Sequence, residues 1–128
     1  QAYAHATPLF LFPSWFIRDN GDAMSAQEPT IAASFPPASI IESRVNAVLA
    51  FDCSEYLDRI TVPTLVICAD DDFLTPVHCS RELAAQIPGA ELNILETGAH
   101  AASVACPDQF NEKVLAFLAR QKAPQGQN

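Results

Sequence analysis

The chain has 128 residues, of which 49% are hydrophobic and 17% are charged, so it has the length and composition of one folded domain and is not expected to be mainly disordered. Its 15 acidic and 7 basic residues give a formal net charge of -8. Because the few Lys and Arg are scattered and form no stripe, nucleic acid and anionic membranes are not expected as partners.

The most apolar block, residues 9–17 with the sequence LFLFPSWFI, predicts neither a membrane span nor a signal peptide. A bilayer requires about 20 apolar residues in a row. Pro13 interrupts this block, and no basic segment precedes it. We therefore expect a cytosolic protein.

The four cysteines stand far apart with no CxxC pair, and one of them lies inside an apolar strand pattern. This spacing favours reduced, buried thiols over disulfides or a metal site, so no metal and no cofactor is expected. The cysteines are Cys53, Cys68, Cys79 and Cys106.

Residues 1–60 are rich in aromatic residues, Ala and Pro, and their pattern predicts helices and no convincing strand. The stretch IIESRVNAVLAFD has one apolar helical face. Its residues are Ile41, Val45, Val48 and Leu49. Three prolines precede that face, so we expect the helices before it to be short and separated by bends. They are Pro29, Pro36 and Pro37.

From residue 61 a regular alternation of strand and helix begins. TLVICA, residues 64–69, is a continuous apolar run with β-branched residues, which predicts a strand covered on both faces, as in a parallel sheet. Pro76 is placed to be the first helical residue after a Thr75 cap, and Pro88 with Gly89 ends that helix.

AELNILE, residues 90–96, predicts a second strand, and Pro107 opens a last helix whose apolar residues recur at helical spacing. Those residues are Phe110, Val114, Phe117 and Leu118. Residues 122–128 form a tail that is expected to fray. The order strand, helix, strand, helix predicts that the two strands pair in parallel.

Two strands alone make a poor sheet, because a strand as apolar as TLVICA needs neighbours on its edges and layers on both faces. A translated chain normally begins with Met, yet residue 1 is Gln1 and the only methionine is Met24. We therefore expect the missing strands upstream of Gln1, in a longer or trimmed product, or in another chain.

Two loops follow the predicted strands, DDDFLTP after the first and TGAHAASVACP after the second. Functional groups gather at the carboxyl ends of parallel strands, and these loops offer three aspartates and His100. An acid followed downstream by a histidine is the order of the last two members of a Ser, Asp, His triad. Gly98 would let the second loop turn tightly, so that His100 reaches a buried carboxylate that fixes its tautomer.

These loops carry a family resemblance. Residues 62–118 resemble the C-terminal portion of the α/β-hydrolases, in which an apolar strand, G/AxxDxxxP, a helix, a second strand and GxH follow one another. ADDDFLTP matches the first motif and GAH matches the second. ADDDFLTPVHCSREL, GAHAASVACPDQFN and PLFLFPSWF also look like the pyrimidine-utilisation branch, the aminoacrylate or carbamate hydrolases related to 3-oxoadipate enol-lactonases.

The resemblance implies an α/β fold in which residues 1–60 form a helical cap and residues 61–121 form the C-terminal strand-helix-strand-helix part of an incomplete hydrolase core. It also implies that His100 is the triad base and that Asp72, four residues before Pro76, is its orienting acid. Asp71, one residue away, is the fallback for that acid.

The resemblance gives the aromatic side chains of the cap a role at the substrate pocket, which they would line or roof. The alternative is that they act as hydrophobic staples between cap helices. These side chains are Phe10, Phe12, Trp15 and Phe16.

The family's serine nucleophile stands in a GxSxG turn, and no pair among the four glycines of this chain brackets a Ser, Cys or Asp in that way. The resemblance then places the nucleophile and the oxyanion hole in the missing N-terminal half, so this chain alone is expected to be inactive. The intact enzyme would act on a small acyl, carbamoyl or enamine-type metabolite.

Two alternatives stay open at this point. The chain could be a non-catalytic module that oligomerises through its exposed sheet edge. It could also belong to a hydrolase with an Asp nucleophile, as in dehalogenases and epoxide hydrolases.

Other polar residues carry plainer expectations. Asp70 is expected to end the strand and face solvent, and His5 and His78 are expected to be ordinary surface or core-packing residues. Cys79 lacks an adjacent base in sequence and Ser103 is not on a nucleophile elbow, so neither is expected to be a nucleophile.

Overall fold

A computed structural model describes residues 2–121, so the tail that was expected to fray lies outside the described residues. Helices fill the first half, and two strands alternate with helices in the second half. In chain order the elements are α1 (Ala2–Leu11), α2 (Ser14–Ala33), α3 (Ala38–Ala50), a short 3-10 helix (Ser54–Arg59), β1 (Leu65–Ala69), α4 (Val77–Gln86), β2 (Glu91–Leu95), α5 (Ala102–Ala105) and α6 (Pro107–Gln121).

Helix α2 contradicts the prediction that proline would keep the early helices short. It runs for 20 residues and contains Pro29, and α1 contains Pro8. A proline inside a helix removes one hydrogen bond and crowds the preceding turn, which is costly but does not by itself end the helix. Helices α1 and α2 lie against each other, and this contact stabilises both. Pro36 and Pro37 do separate α2 from α3, as predicted.

The sheet consists of β1 and β2 among the described residues, and the two strands pair in parallel from Leu65 opposite Glu91 to Ala69 opposite Leu95. Helix α4 connects them and contacts both. The predicted strands and their parallel pairing are therefore confirmed, although β1 starts one residue later than predicted and β2 is shorter by one residue at each end.

The predicted Thr75 cap is wrong. Helix α4 begins at Val77, and Pro76 occupies the capping position without a side-chain hydrogen bond. The Thr75 hydroxyl donates instead to Asp72 Oδ2 at 2.7 Å, which is a stronger bond because the acceptor is charged.

The best-buried region lies at the carboxyl end of the sheet. Ala69, Leu95 and Ala102 form the buried cluster there, with Ile67 and Phe110 against it. In contrast, apolar side chains at the end of α3 are open to solvent, with Leu49 79% and Phe51 74% exposed. The buried cluster therefore lies where the two loops that follow the strands leave the sheet.

None of the helices within residues 2–121 combines the length and the hydropathy that a membrane-spanning segment requires.

Replacing Pro29 with Ala should raise the free energy of unfolding, because an alanine restores the N–H that can donate to the Ser25 carbonyl one turn earlier. We expect a gain of about 1 kcal/mol or more in urea unfolding followed by circular dichroism. The matched control is Gln27→Ala in the same helix, which should change stability by less than about 0.5 kcal/mol. An unchanged or lower free energy of unfolding for Pro29→Ala would contradict the conclusion that Pro29 destabilises α2.

Candidate active site

The two loops that the sequence singled out leave the sheet at the same edge. Because the parallel register places Ala69 opposite Leu95, the chain after β1 and the chain after β2 emerge side by side. The Asp70 N–H donates to the Leu95 carbonyl at 2.8 Å, which continues the ladder for one more residue. Asp70 itself is exposed.

His100 and Asp72 meet above this edge. The distance from His100 Nδ1 to Asp72 Oδ2 is 2.9 Å, and the Asp72 side chain is 6% exposed while that of His100 is 39% exposed. A carboxylate only accepts hydrogen bonds, so Nδ1 must carry the proton that it donates. In the neutral imidazole this leaves Nε2 as an unprotonated acceptor.

Asp72 is held by more than the histidine. It accepts the Leu74 N–H at 2.9 Å and the Thr75 N–H at 3.1 Å, both at Oδ1, besides the Thr75 hydroxyl at Oδ2. Burial acts to raise the pKa of Asp72, but the hydrogen bonds from Thr75 and then from His100 outweigh it, and the pKa lies below its ordinary value. The side chain is therefore an oriented carboxylate at neutral pH.

A strained turn aims His100 at this carboxylate. Ala99 has a positive φ of 50°, and Gly98 has a φ of 135°. A left-handed conformation costs a non-glycine residue about 1–2 kcal/mol. A Cβ at position 98 would lie 2.8 Å from the Cβ of Ala102, so only glycine fits there. The turn predicted from Gly98 thus has a steric cause as well as a conformational one.

Asp71 contacts the backbone of this turn. It accepts the Ala99 N–H at 2.7 Å, the Gly98 N–H at 3.4 Å and the Thr97 hydroxyl at 2.8 Å. Among the described residues Asp71 makes no hydrogen bond to His100. It binds the loop that carries the histidine, whereas Asp72 binds the imidazole itself. Sequence reasoning missed Thr97 and assigned Thr75 only as a helix cap, although each is the first hydroxyl residue in its loop.

The aromatic side chains predicted at the substrate pocket do not line the cavity beside His100 in the described part of the chain. Phe12 and Phe16 stack on each other with ring centroids 4.8 Å apart. Trp15 Nε1–H donates to Thr97 Oγ1 at 3.2 Å, and Phe10 lies 5.9 Å from Phe73, centroid to centroid, in the acid loop.

The cavity beside the pair has a volume of about 230 Å³ and is bordered by both Asp72 and His100. Ser103 and Ser80 add hydroxyls to its wall, and Phe110 adds an apolar side chain. Within residues 2–121 no group of three His, Cys, Asp or Glu side chains is arranged to hold a metal ion.

The remaining polar residues of interest lie elsewhere. His5 pairs with Glu28 at 2.7 Å on the surface of α1 and α2. His78 Nε2 is 3.5 Å from Cys79 Sγ at the start of α4. All four cysteines are free thiols and half-buried.

This chain is similar in sequence to curated proteins that are named as hydrolases. The chain is 39% identical over 118 residues to a protein from Caulobacter vibrioides named "Putative carbamate hydrolase RutD", covering 92% of this chain and 44% of that protein. The chain thus spans less than half the length of the curated relatives it matches. No protein-family model matches the chain.

Several solved structures share the fold. An enol-lactonase from Burkholderia xenovorans LB400 superposes with a TM-score of 0.78 at 24% identity, over 92% of this chain and 44% of that one. A hydrolase from Pseudomonas aeruginosa PA01 superposes with a TM-score of 0.76 at 27% identity, over 91% of this chain and 43% of that one. Both therefore align with this chain over less than half of their own length.

Gly98→Ala should destabilise the histidine loop, because the new Cβ meets Ala102 in addition to adopting an unfavourable φ. We expect a loss of about 2 kcal/mol or more in the free energy of urea unfolding. Gly89→Ala is the matched control, since Gly89 also has a positive φ but would place its Cβ more than 4 Å from other atoms. That control should lose about 1 kcal/mol, and equal losses would rule out the steric cause.

Asp72 should make stability depend on pH on the acid side. Because its pKa is lower in the folded chain, its contribution is present above its ordinary pKa of 3.8 and is lost as the pH falls through the folded value. Urea unfolding at neutral and at acidic pH should show a larger loss for the wild type than for Asp72→Asn. The same loss in both proteins would contradict the lowered pKa.

Proposed function

Because the chain has the fold of the C-terminal part of an α/β-hydrolase, we propose that it supplies the histidine and the acid of a serine hydrolase's catalytic triad. The observation that carries the proposal is the 2.9 Å contact between His100 Nδ1 and the buried Asp72. Each of the two residues follows one of two adjacent parallel strands, at the edge where open α/β sheets bind ligands.

The chemistry follows from the tautomer. With Nδ1–H held by Asp72, His100 Nε2 accepts the proton of an attacking serine hydroxyl and later donates it to the leaving group. Asp72 stays ionised throughout and stabilises the imidazolium that forms between these steps. The His100 side chain is 39% exposed, so the described residues do not enclose the imidazole as they enclose Asp72.

The proposal assigns the nucleophile to polypeptide outside these 128 residues. No GxSxG turn occurs in the sequence, and the chain covers 44% of the length of the Caulobacter relative. The serine and the oxyanion hole would come from the rest of the enzyme, with residues 1–60 as a cap over the site. The 128-residue chain on its own is then inactive as a triad hydrolase.

For the substrate we propose a small acyl, carbamoyl or enamine-type metabolite in the cytosol, of the aminoacrylate or carbamate kind. The name of the Caulobacter relative supports a carbamoyl substrate. The small cavity of about 230 Å³ beside His100 is also compatible with a compact substrate.

A second candidate function is a non-catalytic module that associates with another chain or a second copy. The observation that favours it is the group of exposed apolar side chains where α3 ends, together with a two-stranded sheet in the described residues. Those side chains are Val45, Val48, Leu49 and Phe51. A module of this kind would not depend on His100.

His100→Ala in the full-length protein should abolish turnover of a carbamate and of a simple ester such as p-nitrophenyl acetate. We expect kcat to fall by about a thousandfold or more, because the general base is lost. The matched control is His78→Ala, which removes an exposed histidine of α4 outside the site and should leave kcat unchanged.

Two results would contradict the proposal. Normal turnover by His100→Ala would exclude His100 as the base. A wild-type protein that is folded but hydrolyses neither substrate would favour the binding module instead.

A further inference from the structure

The loop that carries His100 is held from both sides by the first two helices. On one side of the histidine, Trp15 of α2 donates its indole N–H to Thr97 Oγ1 at 3.2 Å. On the other side, the Ala101 N–H donates to the Leu11 carbonyl, the last residue of α1, at 2.9 Å. Residues at the junction between α1 and α2 thus contact the loop both before and after His100.

Hydrogen bonds through Asp71 connect Thr97 to the backbone of the strained turn. Thr97 donates its hydroxyl proton to Asp71 Oδ2 at 2.8 Å, and Asp71 Oδ1 accepts the Ala99 N–H at 2.7 Å. We call Trp15, Thr97 and Asp71 the loop relay. It ends on Ala99, the residue with the strained positive φ immediately before His100.

The direction of each bond in the loop relay is fixed by chemistry. An indole N–H only donates, so the Thr97 oxygen must accept from Trp15 and its single proton must go to Asp71. A carboxylate only accepts, so Asp71 can satisfy the hydroxyl and the two backbone N–H groups together. An amide at position 71 would turn its NH₂ group toward at least one of these donors.

The charge of Asp71 also affects a thiol next to the turn. Burial raises the pKa of the Cys106 thiol, and the negative charge of Asp71 raises it further. Cys106 in turn donates its thiol to the Thr97 carbonyl at 3.6 Å. The loop therefore directs one hydroxyl and two backbone N–H groups at the Asp71 carboxylate, and the Trp15 indole donates to that hydroxyl.

We propose that Asp71 is a positioning residue, and that the loop relay couples the placement of the α1–α2 junction to the orientation of His100. The coupling rests on the proposed function, since the orientation of His100 affects a rate only if His100 is the base. Asp71 touches no reacting atom and acts through the backbone of Gly98 and Ala99.

The test uses Asp71→Asn in the full-length protein with three readouts. Hydrogen exchange of the Gly98 and Ala99 amides should accelerate by about tenfold or more, because their acceptor is weakened. The imidazole ¹⁵N signals of His100 should change from one tautomer to a mixture. Turnover should fall by about tenfold to a hundredfold in kcat with KM unchanged, because the base is misplaced and not removed.

Other variants separate positioning from a general loss of structure. Thr97→Val removes the central hydroxyl of the loop relay and should change the same three readouts, whereas the conservative Thr97→Ser should restore them. Thr97→Val also carries the test if Asp71→Asn does not fold. Thr64→Val is the matched control and should leave the three readouts unchanged, because within residues 2–121 the Thr64 hydroxyl bonds only to the Val62 carbonyl two residues earlier, at 3.0 Å.

A double-variant cycle tests the coupling to α2. Trp15→Phe alone should shift the ratio of the two His100 tautomers in the same direction as Asp71→Asn. Combined with Asp71→Asn it should add little, since both act through one relay. Fully additive effects, or a Trp15→Phe protein with an unchanged tautomer, would overturn the coupling.

The outcomes also separate this proposal from the one it rests on. If His100→Ala abolishes turnover but Asp71→Asn leaves the tautomer, the amide exchange and kcat unchanged, the loop relay is wrong and the triad assignment stands. If Asp71→Asn moves the His100 tautomer and the amide exchange but His100→Ala is fully active, the triad assignment is wrong and only the structural part of the relay stands.

Discussion

The parallel register of β1 and β2 is the constraint on which the site depends. It places Ala69 opposite Leu95, so the acid loop and the histidine loop start from neighbouring positions at one edge of the sheet. From there only a few residues are needed to bring Asp72 and His100 into contact. A slip of the register by one residue would turn every side chain of the strand to the other face and would separate the two loops.

The last two acids of the DDD sequence make different contacts, although they are neighbours. Asp72 is buried and directed at His100, with donors from Thr75 that keep it ionised. Asp71 is turned toward the second loop and accepts its backbone N–H groups. One carboxylate sets the tautomer of the imidazole, and the other secures the strained turn that brings the imidazole there. The acid loop thus supplies both the partner of His100 and the carboxylate that holds the histidine loop.

Much of this arrangement could be predicted from the sequence, and the exceptions have physical reasons. The apolar runs of both strands and the helix between them predicted parallel pairing, and the pairing in turn predicted that an acid and His100 would meet. The contacts of Asp71 could not be predicted, because they depend on where the N–H groups of Gly98 and Ala99 point. The length of α2 was missed because contact with α1 offsets the local cost of Pro29, which a proline rule cannot include.

The central claim is that His100 serves a nucleophile that lies outside these 128 residues. A crystal structure of the full-length protein with a serine-directed phosphonate inhibitor would test it most directly. The account predicts a covalently modified serine whose Oγ lies within hydrogen-bond reach of His100 Nε2, at about 2.6–3.2 Å, while Nδ1 remains on Asp72. A structure in which Nε2 faces no nucleophile, or in which the inhibitor reacts elsewhere, would contradict it.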